Sequence, residues 1–128
     1  MSTGYLLSIV EIGGYPDFTM LYKSKGFQVD TANSMRKAIK ILKRSRPDVI
    51  VAEFNFQSDF RDRTSSLESL MAAIQGYPDT RVIVFYEKEQ RQQLDRLLAV
   101  YDVYQIMQFP VNKQQFEQIL ERIKQEIE

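Results

Sequence analysis

The side chains of this chain that could do chemistry are carboxylates, amines, phenols and hydroxyls, because its 128 residues contain neither His nor Cys. Catalysis by a His-activated nucleophile, thiolate chemistry, and zinc or iron–sulfur sites with Cys or His ligands are therefore excluded. Hard cations such as Mg²⁺, which prefer oxygen ligands, are the only plausible metals. The acids of most interest are Glu11 and Glu53, since each ends a short apolar run.

Charge and composition set broad limits on the function. Seventeen Lys and Arg residues balance seventeen Asp and Glu residues. A global basic surface is missing, so neither nucleic acid nor a membrane is predicted as a partner. No apolar run approaches the roughly 20 residues of a membrane-spanning helix, and residues 1–4 do not resemble the start of a secretory signal. We expect a soluble, cytoplasmic protein that folds as one domain over residues 1–128.

Short apolar runs alternate with segments of helical periodicity along the chain. The predicted strands are Tyr5–Val10, Phe27–Ala32, Val49–Ala52, Val82–Phe85 and Val103–Met107. Apolar residues between them recur at spacings of three and four, and we expect each such stripe to face the core. The stripes are Phe18, Leu21 and Tyr22; Met35, Ala38, Ile39 and Leu42; Leu67, Leu70, Met71 and Ile74; Leu94, Leu97, Leu98 and Tyr101; and Phe116, Ile119, Leu120, Ile123 and Ile127.

Polar residues at the predicted helix starts indicate caps. Asp17, Asn33 or Ser34, and Asn112 can each cap a helix, and residues 65–68 have the spacing of a capping box. One predicted helix also has basic residues on its other faces, at Lys37, Lys40, Lys43, Arg44 and Arg46. For this basic cluster a solvated helix face is favoured over a phosphate-binding patch.

Five strands alternating with five helices predict an α/β fold with a parallel sheet covered on both faces. Strand–helix units of about 25 residues favour the doubly wound strand order 2-1-3-4-5. In that topology a site lies outside the carboxyl ends of the strands, where the first and third strands diverge. The residues expected there are Glu11 and Ile12, Glu53 to Phe56, Tyr86 and Glu87, and Phe109 and Pro110.

The segment Arg46–Phe56 resembles the third strand of a response-regulator receiver domain. Similar matches occur at Val10–Glu11, Arg81–Val84 and Phe109–Pro110, and together they span the chain in order. The resemblance implies a flavodoxin-like, receiver-like three-layer sandwich. In this family an Asp ending the third strand accepts a phosphoryl group, two acids ending the first strand help hold Mg²⁺, a Thr or Ser ends the fourth, and a Lys precedes the Pro after the fifth.

The chain departs from that pattern at most of these positions. Glu53 at the acceptor position is one methylene longer than Asp, and Phe109 at the Lys position removes the fixed cation that would pair with a phosphoryl group. The family's aromatic switch residue is replaced by Ile106. The resemblance therefore implies a pseudo-receiver with no cofactor and no metal. The positions of its degenerate pocket are Glu11, Ile12, Glu53, Tyr86, Phe109 and Pro110.

The leading functional hypothesis is a non-enzymatic signalling or regulatory module that binds another protein independently of phosphorylation. The resemblance suggests a signalling kinase, an output protein or a scaffold as partner, with a weak homodimer also possible. It also suggests the face made by the fourth helix, fifth strand and fifth helix, where we expect Arg96, Tyr104 and Arg122 to make contacts. It further implies a cis bond at Phe109–Pro110, since X–Pro bonds adopt that form at low cost.

Several alternatives stay open. The chain could be a true phosphoacceptor that uses Glu53 or a loop acid, Asp59 or Asp62, although such loop acids are more often exposed turn residues. It could be a flavodoxin-like enzyme that binds a flavin or nucleotide, but Gly13–Gly14 lacks the rest of a nucleotide-binding motif and more often forms a tight turn. Glu53 itself could mimic a phosphorylated Asp, or be a solvated or hydrogen-bonded carboxylate at a strand end.

Overall fold

The computed structural model of this chain describes residues 4–11, 17–54 and 66–127. Its strands form one parallel sheet in the order β2-β1-β3-β4-β5, which confirms the predicted doubly wound order. The strands are β1 (Gly4–Ile9), β2 (Phe27–Ala32), β3 (Val49–Glu53), β4 (Arg81–Tyr86) and β5 (Gln105–Gln108). The helices are α1 (Thr19–Ser24), α2 (Met35–Leu42), α3 (Ser66–Ala73), α4 (Arg91–Leu98) and α5 (Lys113–Ile127), and a 3-10 turn at Lys88–Gln90 precedes α4.

The sheet register brings the carboxyl ends of the strands to one side of the molecule. In β1, Ile9 lies opposite Ala32 of β2 and also opposite Ala52 of β3. Glu53 at the end of β3 lies opposite Phe85 of β4. The chain therefore leaves the sheet near the same level at each of these strands, which is what a shared site at this end requires.

Both faces of the sheet are covered, as the unbroken apolar strands predict for a parallel sheet. Successive side chains of a strand point to opposite faces, so Leu7 and Ile9 belong to one core cluster and Leu6 to the other. The first cluster packs against α2, α3 and α4, and the second packs against α1 and α5. We call these the α2–α4 core and the α1–α5 core.

Two of the three predicted caps that the structure describes are confirmed, at α2 and α5. Of the two candidates ahead of α2, Ser34 is the cap, and its hydroxyl accepts a hydrogen bond from the N–H of Lys37 at 3.1 Å. Asn112 caps α5 by accepting from the N–H of Gln115 at 2.9 Å. At α1 the prediction of an Asp17 cap is wrong: the N-cap residue is Phe18, which has no capping side chain, and Asp17 before it accepts from the N–H of Thr19 at 2.9 Å. The capping box that begins at Ser65 lies partly outside the described residues.

Two boundaries differ from the sequence prediction by more than one residue. The fifth strand begins at Gln105 and not at Val103, although the N–H of Tyr104 already donates to the carbonyl of Val82. Tyr101 was predicted on the fourth helix face but lies in the turn after α4, where its N–H donates to Leu97 O at 2.9 Å. The apolar periodicity runs past the helix end because the turn residue still packs against the α2–α4 core.

Two further expectations concern one peptide bond and the presence of membrane-spanning helices. The Phe109–Pro110 peptide bond is cis, as predicted. Over the ranges that the structure describes, no helix combines the length and the apolar character needed to cross a bilayer.

Candidate functional site

The carboxyl ends of β1 and β3 bring together the two acids that the sequence singled out. Glu53 ends β3 and Glu11 follows β1, and these strands are neighbours in the sheet. The Oε1 atom of Glu53 accepts a hydrogen bond from the backbone N–H of Glu11 at 2.7 Å. The contact joins residues 42 positions apart in the sequence and fixes the end of one strand to the end of the other.

Glu53 is buried, with only 4% of its surface exposed. The alternation of β3 gives Glu53 the orientation of Val49 and Val51, which belong to the α1–α5 core. A carboxylate withdrawn from water is costly unless hydrogen bonds replace its hydration. The Glu11 N–H provides such a bond, so this carboxylate has a structural role at the junction of β1 and β3.

Tyr86, at the family's hydroxyl position, directs its phenol toward α4. Its side chain is buried in the α2–α4 core with 5% exposure. The hydroxyl accepts a hydrogen bond from Nη1 of Arg91 at 3.1 Å, and the Arg91 guanidinium carbon lies 5.5 Å from the ring centroid. Nε of Arg91 in turn donates to Asp95 at 2.8 Å. These contacts link the end of β4 to the first turns of α4.

The segment after β5 places Phe109 at the same end of the sheet. Its backbone N–H donates to the carbonyl of Tyr86 at 2.8 Å, which extends the pairing of β5 with β4. Phe109 is half-buried and Pro110 is exposed. Ile106 packs against the α2–α4 core, the same cluster that holds Tyr86. The position of the family's Lys is therefore occupied by an aromatic ring, which supplies no charge.

A cavity of about 390 Å³ opens beside Glu53, between the strand ends and α1. Its walls are mostly aliphatic and aromatic, with a few acidic and hydroxyl groups, and among the described residues that line it there is no Lys or Arg. A phosphoryl group needs cations to neutralise its oxygens, so these walls are poorly suited to bind one. The lining residues are Ser8, Ile9, Val10, Asp17, Phe18, Thr19, Tyr22, Thr31, Asn33, Val51, Ala52, Glu53 and Phe85.

The ends of β1 and β3 offer two carboxylates, Glu11 and Glu53, as donors for the magnesium ion that receiver domains use. Mg²⁺ requires near-octahedral coordination by oxygen atoms. Within residues 4–11, 17–54 and 66–127, no three acidic side chains cluster in a way that could hold a metal. The Oε1 atom of Glu53 already accepts the Glu11 N–H. Five predicted positions lie outside the described residues: Ile12, Asn55, Phe56, and the loop acids Asp59 and Asp62. The Gly13–Gly14 pair lies outside them as well.

At the β5 edge the structure brings together two of the three residues predicted to contact a partner. The hydroxyl of Tyr104 donates to Glu126 on α5 at 3.0 Å. Partial burial raises the pKa of Tyr104, Glu126 raises it further, and Arg122 opposes the shift. Arg122 thus lies beside Tyr104. The third residue, Arg96, is exposed on α4.

Arg81 and Glu126 also contact Tyr104 at this edge, and sequence reasoning missed both. Nε of Arg81, at the start of β4, donates to Glu126 at 3.1 Å, and the Arg81 guanidinium carbon lies 5.9 Å from the Tyr104 ring centroid. Arg81 and Glu126 are 45 residues apart, and no local pattern pairs them. Only the position of α5 against β4 and β5 could have indicated the contact. We call Arg81, Tyr104, Arg122 and Glu126 the β5 edge cluster.

No family model and no curated protein matches this sequence. Solved structures do match the fold. Chemotaxis response regulator CheY4 of Vibrio cholerae superposes with a TM-score of 0.72 at 18% identity, over 95% of this chain and 99% of that one. A response regulator receiver domain protein from Clostridium thermocellum gives 0.71 at 16% identity, over 94% and 93%.

A third match is the signal receiver domain of a putative Luxo repressor protein from Vibrio parahaemolyticus. It superposes with a TM-score of 0.69 at 18% identity and covers 98% of this chain and 95% of that one. All three solved structures are similar to this chain over nearly their whole length. The five-stranded parallel sheet and its helices thus have the fold of response-regulator receiver domains.

Proposed function

We propose that this chain, which has the fold of response-regulator receiver domains, is a signalling module that binds another protein and does not itself become phosphorylated. One observation carries the proposal. The residue at the phosphoacceptor position, Glu53, is 4% exposed, and its Oε1 atom accepts a hydrogen bond from the Glu11 backbone. Its carboxylate therefore serves the fold at the place where a receiver presents a nucleophile.

The surroundings of Glu53 support the same conclusion. Phosphoryl transfer depends on positioning the acceptor oxygen in line with the leaving group and on neutralising the charge that develops. Phe109 replaces the lysine that would supply a fixed positive charge, and the described lining of the neighbouring cavity contains no Lys or Arg. A phosphodonor would thus approach a buried carboxylate in a site whose described lining offers no cation.

Signal transmission through the fold also supports a phosphorylation-independent role. In receivers a hydroxyl after the fourth strand follows the phosphoryl group, and an aromatic residue on the fifth strand responds. Here the Tyr86 hydroxyl accepts a hydrogen bond from Arg91 on α4. Ile106, at the position of the aromatic residue, has no polar group that could change its hydrogen-bond partner. We infer that α4 keeps one arrangement relative to β4, as a constant binding surface requires.

The same packing bears on the alternatives for Glu53. A freely solvated carboxylate is inconsistent with 4% exposure, so the choice lies between a structural hydrogen-bonded acid and a mimic of a phosphorylated Asp. We favour a carboxylate whose main role is to hold the ends of β1 and β3. A mimic would act through the hydroxyl position, and there Tyr86 is engaged by Arg91.

The proposed partner is a protein such as a signalling kinase, an output protein or a scaffold. We propose that it contacts the face formed by α4, β5 and α5, where Arg96 and Arg122 are exposed. Tyr104 is half-buried and its hydroxyl is hydrogen-bonded to Glu126. We therefore expect only the exposed edge of its ring to contact the partner. Mixed charge on this face suits a reversible contact, with at most a weak homodimer of the chain itself.

Labelling with a small phosphodonor tests the proposal. The intact chain is incubated with acetyl phosphate and Mg²⁺, beside a receiver domain that has the usual Asp, and both are examined by mass spectrometry under conditions that preserve acyl phosphates. We expect the phosphoryl adduct on the control protein and none on this chain. An adduct that forms on this chain and disappears in Glu53→Gln would overturn the proposal.

The same labelling experiment addresses the other open alternatives. An adduct that persists in Glu53→Gln and is lost in Asp59→Asn or Asp62→Asn would identify a loop acid as the acceptor, and would equally contradict the proposal. For a flavin-binding enzyme, the purified protein would carry visible absorbance of the bound cofactor. We expect a colourless protein.

A further inference from the structure

The most concentrated charge on this molecule lies on α2 and the turn that follows it. Six cations and no acid occur in residues 34–47, and every one of the six side chains is exposed. We call these six residues the α2 basic surface. Its members are Arg36, Lys37, Lys40, Lys43, Arg44 and Arg46.

Helical geometry continues far enough to bring these cations together. Lys43 keeps helical backbone angles and donates its N–H to Ile39 O, and the N–H of Arg44 donates to Ile41 O. Lys40 therefore has like-charged neighbours three residues away at Lys37 and Lys43, and four residues away at Arg36 and Arg44. Like charges at these spacings destabilise a helix, so the arrangement opposes the stability of α2.

Arg46 is fixed to the same surface by a tyrosine from the segment after α3. The guanidinium carbon of Arg46 lies 4.7 Å from the centroid of the Tyr77 ring, and the Tyr77 hydroxyl donates to Leu42 O at the end of α2. This contact holds the last cation of the group beside the helix. The surface thus extends from the first turn of α2 to the loop before β3.

These charges are not neutralised by ion pairs within the described chain. The salt bridges between described residues are Lys25–Glu121, Arg81–Glu126 and Arg91–Asp95, and none involves α2. Arg44 lies near Tyr5, whose hydroxyl donates to Asp30 at 2.6 Å. Asp30 keeps its charge in this hydrogen bond, but it is not in any of these ion pairs. The negative end of the α2 dipole, equivalent to about half a charge, offsets only a small part of six cations.

We infer that the α2 basic surface binds an acidic segment of a protein partner. The rest of the molecule decides between classes of anion. Removing the six cations from the seventeen Lys and Arg leaves eleven, against seventeen Asp and Glu, so the rest of the chain has a formal net charge of −6. An extended polyanion such as nucleic acid, or a charged membrane, would meet that repulsion, whereas a short acidic segment touches α2 alone.

Two further features favour a protein segment. Single-stranded nucleic acids stack their bases on aromatic rings. Of the two tyrosines beside this surface, Tyr77 already has Arg46 over its face and Tyr5 is hydrogen-bonded to Asp30. Membrane-surface helices insert apolar side chains beside their cations. The large exposed apolar side chains of the described chain are Val10, Met20 and Val100, and none of them lies on α2.

This surface is separate from the α4–β5–α5 face. α2 packs beside β1 and β2, and β2 is the sheet edge opposite β5. The inference therefore does not depend on the proposed function. If both surfaces bind, the domain can join two different proteins.

The test measures binding of a labelled peptide of about twelve residues in which two of every three residues are Glu. A second peptide replaces each Glu with Gln. We expect the Glu peptide to bind the intact chain at least about tenfold more tightly than the Gln peptide, with affinity that falls as salt is added. A triple variant, Lys37→Gln, Lys40→Gln and Lys43→Gln, should lose about tenfold in affinity.

A matched control separates the surface from overall charge. The variant Lys23→Gln, Lys88→Gln and Lys113→Gln removes three exposed lysines elsewhere and changes the net charge equally. It should lose less than about threefold, and Gln preserves helix propensity in both variants, as circular dichroism can verify. The inference is overturned if the control loses as much, if the Glu peptide is not preferred, or if a DNA duplex or phosphatidylserine vesicles bind as tightly.

Discussion

The Oε1 atom of Glu53 lies 2.7 Å from the backbone nitrogen of Glu11, so the acid that ends β3 holds the chain as it leaves β1. The two residues are where a receiver gathers its acidic pocket, yet here they contact each other through a structural bond. Because Glu53 is buried, the loss of this bond affects folding as well as any chemistry at the site.

Shortening Glu53 should be more damaging than neutralising it. In Glu53→Asp the carboxylate is one methylene shorter and loses reach to the Glu11 N–H, so we expect a loss of about 1–3 kcal/mol in the free energy of unfolding. Glu53→Gln keeps an oxygen acceptor at full length and should lose less. Denaturant unfolding measures both, with Glu89→Asp on the exposed turn before α4 as the control. Equal losses in Asp and Gln would contradict the assignment.

Magnesium should not bind specifically at millimolar concentration. The carboxylates at the ends of β1 and β3 are those of Glu11 and Glu53, and Oε1 of Glu53 already accepts a hydrogen bond. No group of three acidic side chains among the described residues could hold a metal. Calorimetric titration with MgCl₂ should give no saturable heat. A saturable signal that is abolished in Glu53→Gln would show that the carboxylate is a ligand after all.

The Tyr86–Arg91 contact should stabilise the junction of β4 and α4. Tyr86→Phe removes the phenol oxygen from a buried ring and should cost about 0.5–1.5 kcal/mol of stability, since the Arg91 donor stays partly hydrated. When Tyr86→Phe is made in a chain that already carries Arg91→Ala, it should lower the stability little, because the hydrogen-bond donor is already absent. Thermal unfolding of the two single variants and the double variant tests this. Additive losses would mean that the contact contributes nothing.

Alkaline pH should weaken the fold through its tyrosines. Burial, followed by the hydrogen bond to Asp30, raises the pKa of Tyr5 to about 12, and burial also raises the pKa of Tyr22. The unfolded chain loses these protons near pH 10 and the folded chain does so later. The raised pKa values of Tyr5 and Tyr22 therefore add their full contribution to the folding stability below about pH 10, and this contribution declines as the pH rises further.

Two measurements check this pH dependence. Phenolate absorbance of the folded protein should show a group of tyrosines that ionises later than the rest. The stability difference between the natural chain and Tyr5→Phe should narrow as the pH rises above about 10, because phenylalanine has no proton to lose. A constant difference across that interval would contradict the raised pKa of Tyr5.

Charge reversal on the α4–β5–α5 face should weaken capture of the partner. Arg96→Glu is expected to reduce affinity at least about tenfold, or about 1.4 kcal/mol, with nearly unchanged melting temperature because the side chain is exposed. The partner is first identified by capture from the native lysate on the intact chain. If binding survives Arg96→Glu combined with Arg122→Glu, the contact lies on another surface.

Much of the fold was predictable because its determinants are local. Periods of two and of three to four in the apolar residues set the strands and helices, and short connections between parallel strands leave few topologies. Ser34 and Asn112 could be identified as helix caps because a cap bonds to a backbone group only three residues away. The positions at which the chain departs from the receiver pattern were likewise visible as residue types at strand ends, since the carboxyl ends of parallel strands share one side.

The tertiary structure decided how those residues are used. Nothing local indicated that Glu53 would be buried and bonded to Glu11, or that the Tyr86 phenol would reach Arg91 and not the cavity. The contacts of Glu126 with Arg81 and Tyr104 join segments that meet only after α5 packs across β4 and β5. Such contacts depend on the relative placement of elements that are distant in the sequence. The residues flanking an acid are the same whether its carboxylate faces water, a metal or a backbone amide, so the local sequence cannot distinguish these cases.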